Sequence, residues 1–354
     1  MSIRTASPAL LAALLFGAST PLAKALIGAV SPLLLAGLLY LGSGIGLGLV
    51  LLVRNAWLRA GPEQDDGRIP RAELPWLAAA IVAGGVAGPA LLMSGLASTS
   101  AASASLLLNV EGVFTALIAW LVFKENTDRQ IVLGMIVIVL GGLLLSWQPG
   151  SMRMSAGAVL IVGACLCWAV DNNLTRKVSS NDALLIACLK GLVAGVCNTG
   201  LALAYGAAAP SVPAIATIAS AMLIGFAGYG VSLALFVVAL RVLGTARTGA
   251  YFSIAPLFGV VISLILWPEM PGPVFWIAGM LMGFGVWLHL RERHEHEHTH
   301  EPLAHSHSHR HDTHHQHTHD FPWDGKEPHR HWHQHDVMVH KHPHYPDVHH
   351  RHKH

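Results

Sequence analysis

Four ionisable residues of this chain stand inside long apolar runs, where a charge is expensive enough to be a functional candidate by default. Glu111 sits near the middle of one run, and Lys190 about eight residues into another. Asp171 lies in the inner half of a third, and Lys24 near the outer end of the first. Asn109 precedes Glu111 by two residues, and Asn172 and Asn173 follow Asp171, so donors and acceptors accompany the charges. A Glu111–Lys190 or Asp171–Lys190 pair that an incoming proton or substrate breaks would make a two-state switch. Plainer uses exist for each. Lys24 can snorkel to an interface, Asp171 can cap or simply pair with Lys190, and buried amides commonly hold helices together.

A second kind of chemistry is concentrated at the C-terminus. All but one of the 24 histidines fall between His294 and His354. Neutral imidazole is the commonest ligand for borderline transition metals, and a pKa of about 6.5 leaves most such rings deprotonated at neutral pH. The candidate ligands are His294, His296, His298, His300, His305, His307, His309, His311, His314, His315, His317 and His319. His-x-His alternation offers several chelation geometries without fixing the ion, so nickel, cobalt, zinc and copper all qualify. Interleaved Trp323, Trp332 and Tyr345 argue against an appended purification tag, and a passive low-complexity tail is the plain alternative. No apolar run is present from which to build a core, so the segment is expected to be disordered without metal. Upstream of it only His289 occurs, and no histidine lies deep in an apolar run. Cys167 and Asp171, four apart on one helix face, make only a weak ligand pair.

The elements that must position these residues are helices in lipid. Apolar residues make up 53% of the chain and charged ones 12%. Runs of roughly 20 apolar residues, enough to cross about 30 Å of hydrocarbon, fall at about 8–28, 32–53, 75–95, 97–123, 129–147, 156–177, 182–206, 216–240, 245–267 and 273–291. The fold class is an all-α polytopic membrane protein of ten transmembrane helices with a disordered His-rich tail. Cys165, Cys167, Cys188 and Cys197 all lie within runs, so no disulfide framework is implied. Gly42/Gly46, Gly44/Gly48, Gly84/Gly88 and Gly191/Gly195 are small-xxx-small pairs that let helices approach, within one chain or across a homodimer. Pro21, Pro89 and Pro256 interrupt the first, third and ninth runs.

Orientation follows from the basic residues. Arg4, Arg54, Arg59, Arg68, Arg71, Lys124, Arg129, Arg176, Lys177, Arg241, Arg247, Arg291 and Arg293 fall on one side of a ten-span chain, and only Arg153 on the other. By the positive-inside rule this is a multi-pass inner-membrane protein with both termini cytoplasmic. The same rule accounts for the basic balance, and no nucleic-acid partner is needed.

The two halves of the body also resemble each other. Phe16-Gly17 leading to Leu22-Ala23-Lys24 matches Trp168-Ala169 leading to Leu174-Thr175-Arg176, and Phe114 and Glu125 line up with Phe258 and Glu269. Five spans per copy is an odd number, so the second copy must sit inverted, as in secondary transporters. The domains are then 1–147 and 148–293, two five-helix repeats, followed by the tail at 294–354.

Two stretches carry a family resemblance: Ser98-Thr99-Ser100-Ala101-Ala102-Ser103-Ala104-Ser105 through Asn109-Val110-Glu111 to Phe123-Lys124-Glu125, and Cys167-Trp168-Ala169-Val170-Asp171-Asn172-Asn173-Leu174-Thr175-Arg176-Lys177. The chain resembles the EamA family of the drug/metabolite transporter superfamily over about 290 residues, stopping at the tail. The resemblance implies ten spans in two repeats and export or exchange of small solutes, usually proton-coupled. It fixes no substrate. Where the family often has Glu-Pro, this chain has Glu111-Gly112, which leaves the kink at that point open.

No phosphate-binding loop, nucleophile elbow or His-Glu-x-x-His motif appears, so an enzyme is not expected and no cofactor is required. The leading expectation is a proton-coupled exporter of divalent metal, nickel or cobalt and then zinc, with the tail collecting or sensing the ion. The alternative is export of an organic metabolite, amino acid or drug with a regulatory or passive tail. A metal sensor or store that transports nothing is the third reading.

Overall fold

The computed structural model describes residues 3–58, 69–122, 129–147, 155–175, 178, 182–205, 214–243, 251–268, 270–290, 295–300, 303–309, 329–335 and 338–343. Several positions used for orientation and repeat matching, among them Lys124, Glu125, Arg153, Arg176, Lys177 and Glu269, lie outside them. The chain divides into two compact units, Met1–Glu292 and Arg293–His354.

The first unit is built of helices. They are α1 (Ile3–Leu26), α2 (Pro32–Leu58), α3 (Leu74–Ala80), α4 (Gly88–Ser98), α5 (Ala101–Leu107), α6 (Asn109–Leu121), α7 (Arg129–Ser146), α8 (Ala156–Thr175), α9 (Ala183–Ala204), α10 (Ile215–Gly225), α11 (Ser232–Leu243), α12 (Ala255–Leu266) and α13 (Pro273–Leu290). Seven stretches are long and apolar enough to cross a membrane: Ser7–Leu26, Pro32–Ala56, Leu74–Ser98, Ala101–Ile118, Ala156–Thr175, Ala183–Ala204 and Ile215–Phe236. Val132–Ser146, Ala255–Leu266 and Pro273–Leu288 are shorter apolar helices in the places of the fifth, ninth and tenth runs. Of the ten expected spans, seven are therefore long enough to cross a membrane among the described residues, and the other three runs hold only shorter apolar helices. Large apolar side chains cover the outside, with Leu52, Val82, Leu121, Ile265 and Met280 all more than half exposed. A surface this apolar is suited to lipid.

Local sequence sets the breaks. Gly28, at φ 104°, takes the turn between α1 and α2, a conformation other residues rarely adopt. Ser100 caps α5 by accepting the Ser103 N–H at 3.2 Å, and Asp182 caps α9 by accepting the Leu184 N–H at 2.9 Å. The run at 97–123 is not one helix: α5 ends and α6 begins at Leu108, although no proline follows Glu111. Pro256 stands in the first turn of α12, at the corresponding place in the second half.

Two spans change their winding midway. Ile81–Ala87 between α3 and α4, and Phe226–Val231 between α10 and α11, are π-helical. Each is rich in glycine, and they occupy the third span of each half. The packing is duplicated to match. Helix α8 lies against the first π segment, α4 and α6, while α1 lies against the second π segment, α11 and α12. Helix α2 packs along α9, and α7 along α13. The close-approach glycines serve these contacts inside the chain, as where Gly44 meets Gly191 and Gly195 meets Leu41.

In the second unit the backbone forms strands β1 (Glu295–His300), β2 (Leu303–His309), β3 (His329–His335) and β4 (Met338–Pro343), with β1 antiparallel to β4 and β2 antiparallel to β3. Disorder was the expectation here, from the absence of apolar runs. The sequence nonetheless alternates with period two, the repeat of a strand.

Candidate functional site

The first π segment organises the middle of the helical unit. A π turn disturbs the i→i−4 ladder and frees carbonyls, which in lipid must find partners within the protein. The Gly84 carbonyl accepts the Tyr40 hydroxyl at 3.0 Å and the Trp168 indole N–H at 2.9 Å. The Gly85 carbonyl accepts the Asn198 amide at 3.1 Å. Three side chains from α2, α8 and α9 therefore converge on two glycine carbonyls.

Asp171 lies against the same glycine. Its carboxylate packs where a Gly84 side chain would be, and Gly84 makes that space by having none. Lys190 Nζ, from α9, donates to Asp171 Oδ1 at 2.6 Å and Oδ2 at 2.7 Å. Thr175, one turn along α8, donates to Oδ1 at 2.8 Å and accepts from Lys190 at 3.1 Å. The side chains of Lys190 and Asp171 are 14% and 9% exposed, so this is a nearly buried ion pair with its hydrogen bonds closed locally. A buried pair of this kind contributes little net stability but is costly to break on one side only.

Glu111 takes a different partner. The residue after Asp171, Asn172, donates to Glu111 Oε1 at 2.9 Å and reaches Thr115 Oγ1 at 3.5 Å. Glu111 is half-buried and Asn172 exposed, unlike the neighbouring pair. It stands in the first turn of α6, just past the break at Leu108. Successive residues of α8 thus serve two separate acids. The anticipated Asp171–Lys190 pair is formed; Glu111 sits with Asn172 instead of Lys190.

The other candidates make structural contacts. Asn109 donates to the Leu106 carbonyl at 2.8 Å across the α5–α6 break, and Asn173 to the Ala169 carbonyl at 2.9 Å within its own helix. Lys24 donates to the Leu96 carbonyl at 2.5 Å, closing the end of α4. Cys165 and Cys188 are buried and donate to backbone carbonyls. Sequence reasoning did not single out Tyr40, Thr115, Thr175 or Asn198. Each is a rare polar group in an apolar run, which was the available signal.

An aromatic cluster joins the halves beside this site. Phe16 meets Trp168, Tyr229 and Phe252 with ring centroids 6.4, 5.9 and 5.4 Å away, and Tyr40 meets Tyr229 at 5.4 Å. Phe16 and Trp168 are the residues that the internal repeat places in correspondence.

Of the tail histidines expected as candidate ligands, His296, His298, His300, His305, His307 and His309 fall on strands. His294, His311, His314, His315, His317 and His319 lie outside the described residues.

Residues 5–147 and 155–291 each match the EamA-like transporter family, so the helical unit is covered almost end to end. The chain belongs to this family. Its members are transporters and not enzymes. An uncharacterized transporter of Methanothermobacter thermautotrophicus is 28% identical over 289 residues, covering 78% of this chain and 83% of that one. A probable terminal-alkyne amino-acid exporter of Streptantibioticus cattleyicolor is 27% identical over 229 residues, covering 62% of this chain and 75% of that protein. A solved crystal structure with 16% identity superposes at TM-score 0.58 over 81% of this chain and 96% of that one, a likeness in fold. This EamA-like protein is accordingly a multi-pass membrane transporter of a small solute.

Proposed function

We propose that this EamA-like transporter is an inner-membrane exporter of a small organic solute, an amino-acid-like zwitterion, coupled to protons and with both termini cytoplasmic. The observation that carries the reading is the Asp171–Lys190 pair. A zwitterion presents the same two charges: its ammonium can replace Lys190 at Asp171, and its carboxylate can replace Asp171 at Lys190. Exchange of partners keeps both charges satisfied, so the substrate enters without stranding either in low dielectric. Glu111, held separately by Asn172, is then free to act as the proton site. The amino-acid exporter among the relatives supports the substrate class.

Everted vesicles incubated with a labelled amino-acid mixture test it. Gradient-driven accumulation should disappear in Lys190→Met and in Asp171→Asn. Wild-type vesicles that accumulate no amino acid above empty membranes sink the substrate class.

The histidine-rich unit favours a second reading, export of nickel, cobalt or zinc. Among the described residues no group of three His, Cys, Asp or Glu side chains stands together as an ion site. The organic solute therefore comes first. Uptake of radiolabelled nickel and zinc by the same vesicles, with a chain ended after Arg293 for comparison, separates the two.

A further inference from the structure

Asp171 and Asn172 are consecutive residues of α8, so their side chains leave the helix about 100° apart. Trp168, Asp171 and Thr175 share the face turned to the first π segment and α9. There the Trp168 indole donates to the Gly84 carbonyl at 2.9 Å, and Asp171 is held by Lys190 at 2.6 Å. Asn172 is turned toward α6 and donates to Glu111 Oε1 at 2.9 Å. Two further contacts between these helices, Asn172 with Thr115 Oγ1 at 3.5 Å and Asn173 with the Thr115 carbonyl at 3.4 Å, are long. The Glu111 bond is therefore the strong polar tie between α8 and α6. Over so short a stretch a helix turns as one body. A rotation of α8 that carries Asp171 off its seat at Gly84 must also carry Asn172 off Glu111.

The strength of this tie depends on the charge of Glu111. A hydrogen bond to an ionised acceptor is roughly twice as strong as one to a neutral group, a difference of about tenfold in an equilibrium. Asn172 is exposed and Glu111 half-buried, so a proton can reach the carboxyl from water. The titratable side chains near enough to act on Glu111 are Asp171 and Cys165 of α8, Tyr40 of α2 and Tyr229 of the second π segment. Helices α5 and α7 also pack on α6; α5 carries no titratable side chain and α7 only Arg129, in its first turn. Thiols and phenols are ordinarily neutral at acid and neutral pH, and Asp171 is committed to Lys190. Glu111 is the group left to exchange a proton.

We propose that Asn172 is a positioning residue that makes the proton and the solute compete. Its bond to ionised Glu111 holds α8 in the rotation that presents Asp171 and Lys190 to the solute, and protonation of Glu111 loosens that hold. The proposal rests on the reading of Asp171–Lys190 as the solute site and Glu111 as the proton site. By linkage, a solute that binds the held rotation must in turn expel a proton from Glu111. Such competition is what an exporter driven by inward-moving protons needs.

The test is equilibrium binding of the labelled amino-acid mixture to the full-length protein in detergent, at about pH 8 and about pH 4, which bracket the usual range of glutamate. A pH indicator in weak buffer reads the protons released. Wild type should bind about tenfold more weakly at the lower pH, and at intermediate pH should release protons as it binds. Glu111→Gln should lose both effects. A pH ratio kept in Glu111→Gln traces the dependence to other groups, the histidine-rich unit among them, and overturns the proposal. Asn172→Ala and Asn172→Leu both lose the amide but differ in volume. Each should bind at both pH values with the weak affinity of acid wild type and release no proton. Weakened binding that keeps the wild-type ratio marks a merely structural residue and overturns the proposal. Two outcomes need no substitution. Equal wild-type affinity at both pH values overturns the competition and leaves the amino-acid reading standing; a wild type that binds no amino acid at either pH removes both.

Discussion

The Asp171 carboxylate lies directly against the α-carbon of Gly84, so that a β-carbon at Gly84 would overlap it. The relation recurs in the other half, where a β-carbon at Gly228 would come 2.6 Å from Ser19 Cβ. Each glycine belongs to a π segment, and each partner to the first helix of its half. The duplicated scaffold thus presents one acid, with a hydroxyl in the matching place. Gly84→Ala should cost about 1–3 kcal/mol by overpacking and abolish transport by displacing Asp171 from Lys190. Gly200→Ala, with no neighbour within 4 Å of the added methyl, should do neither. Thermal denaturation in detergent together with a vesicle assay checks both; a Gly84→Ala protein that transports normally removes the close approach from the mechanism.

The Asp171–Lys190 pair makes a prediction with a built-in control. Lys190→Met leaves a nearly buried carboxylate without its cation, and Asp171→Asn strands the ammonium, each costing about 3–5 kcal/mol. The double variant Asp171→Asn/Lys190→Met removes both charges and should recover most of that stability, while transport stays lost. Melting temperatures and uptake for the three variants decide it. Transport by the double variant would reduce the pair to a packing element.

How much of this was legible in the sequence differs from residue to residue. Apolar runs marked membrane-spanning helices, and the cost of an unpaired buried charge called for a partner for Lys190, but spacing alone left Glu111 and Asp171 both open to it. Glu111 stood out for the same reason, but not its partner: which of the two α8 amides reaches it depends on how α8 is rotated against α6, and one residue of rotation separates Asn172 from Asn173. The π segments left no mark in the hydrophobic pattern, since a single wider turn shifts the face by less than the apolar stripe is wide. Gly84 was visible only as half of a Gly84/Gly88 pair, which suggests packing and not an acid's seat. In the tail, the absence of apolar residues pointed to disorder, while the two-residue alternation of histidine, also plain to see, is what the strands follow.

Glu111→Gln separates proton coupling from substrate handling. A glutamine carbonyl can still accept the Asn172 hydrogen bond, so the fold and the exchange of substrate across the membrane should persist. Accumulation driven by a proton gradient should be lost, as should the dependence of rate on pH. Counterflow and gradient-driven uptake, measured on the same vesicles, distinguish the steps. Counterflow lost together with driven uptake would make Glu111 part of substrate binding instead.

The Arg54–Asp182 pair at the end of α9 predicts a stability change confined to acid. Burial pushes the Asp182 carboxyl up, but the hydrogen bonds from Arg54 at 2.6 Å and from the Leu184 N–H at 2.9 Å, with the Arg54 charge, outweigh it and hold the group below the ordinary carboxylate range. A carboxyl whose folded value is depressed contributes stability that is fully present above its unfolded value, about 3.9, and is lost as pH falls through the folded value. The two side chains are 35% and 29% exposed, so solvent screening limits the contribution to below about 1 kcal/mol. Arg54→Ala should therefore lower the melting temperature slightly at neutral pH and have less effect at acid pH below the folded value of Asp182, where the carboxyl is protonated in both states. An equal loss at both pH values would assign the effect to the packed stem of Arg54, which does not titrate, and not to the ion pair.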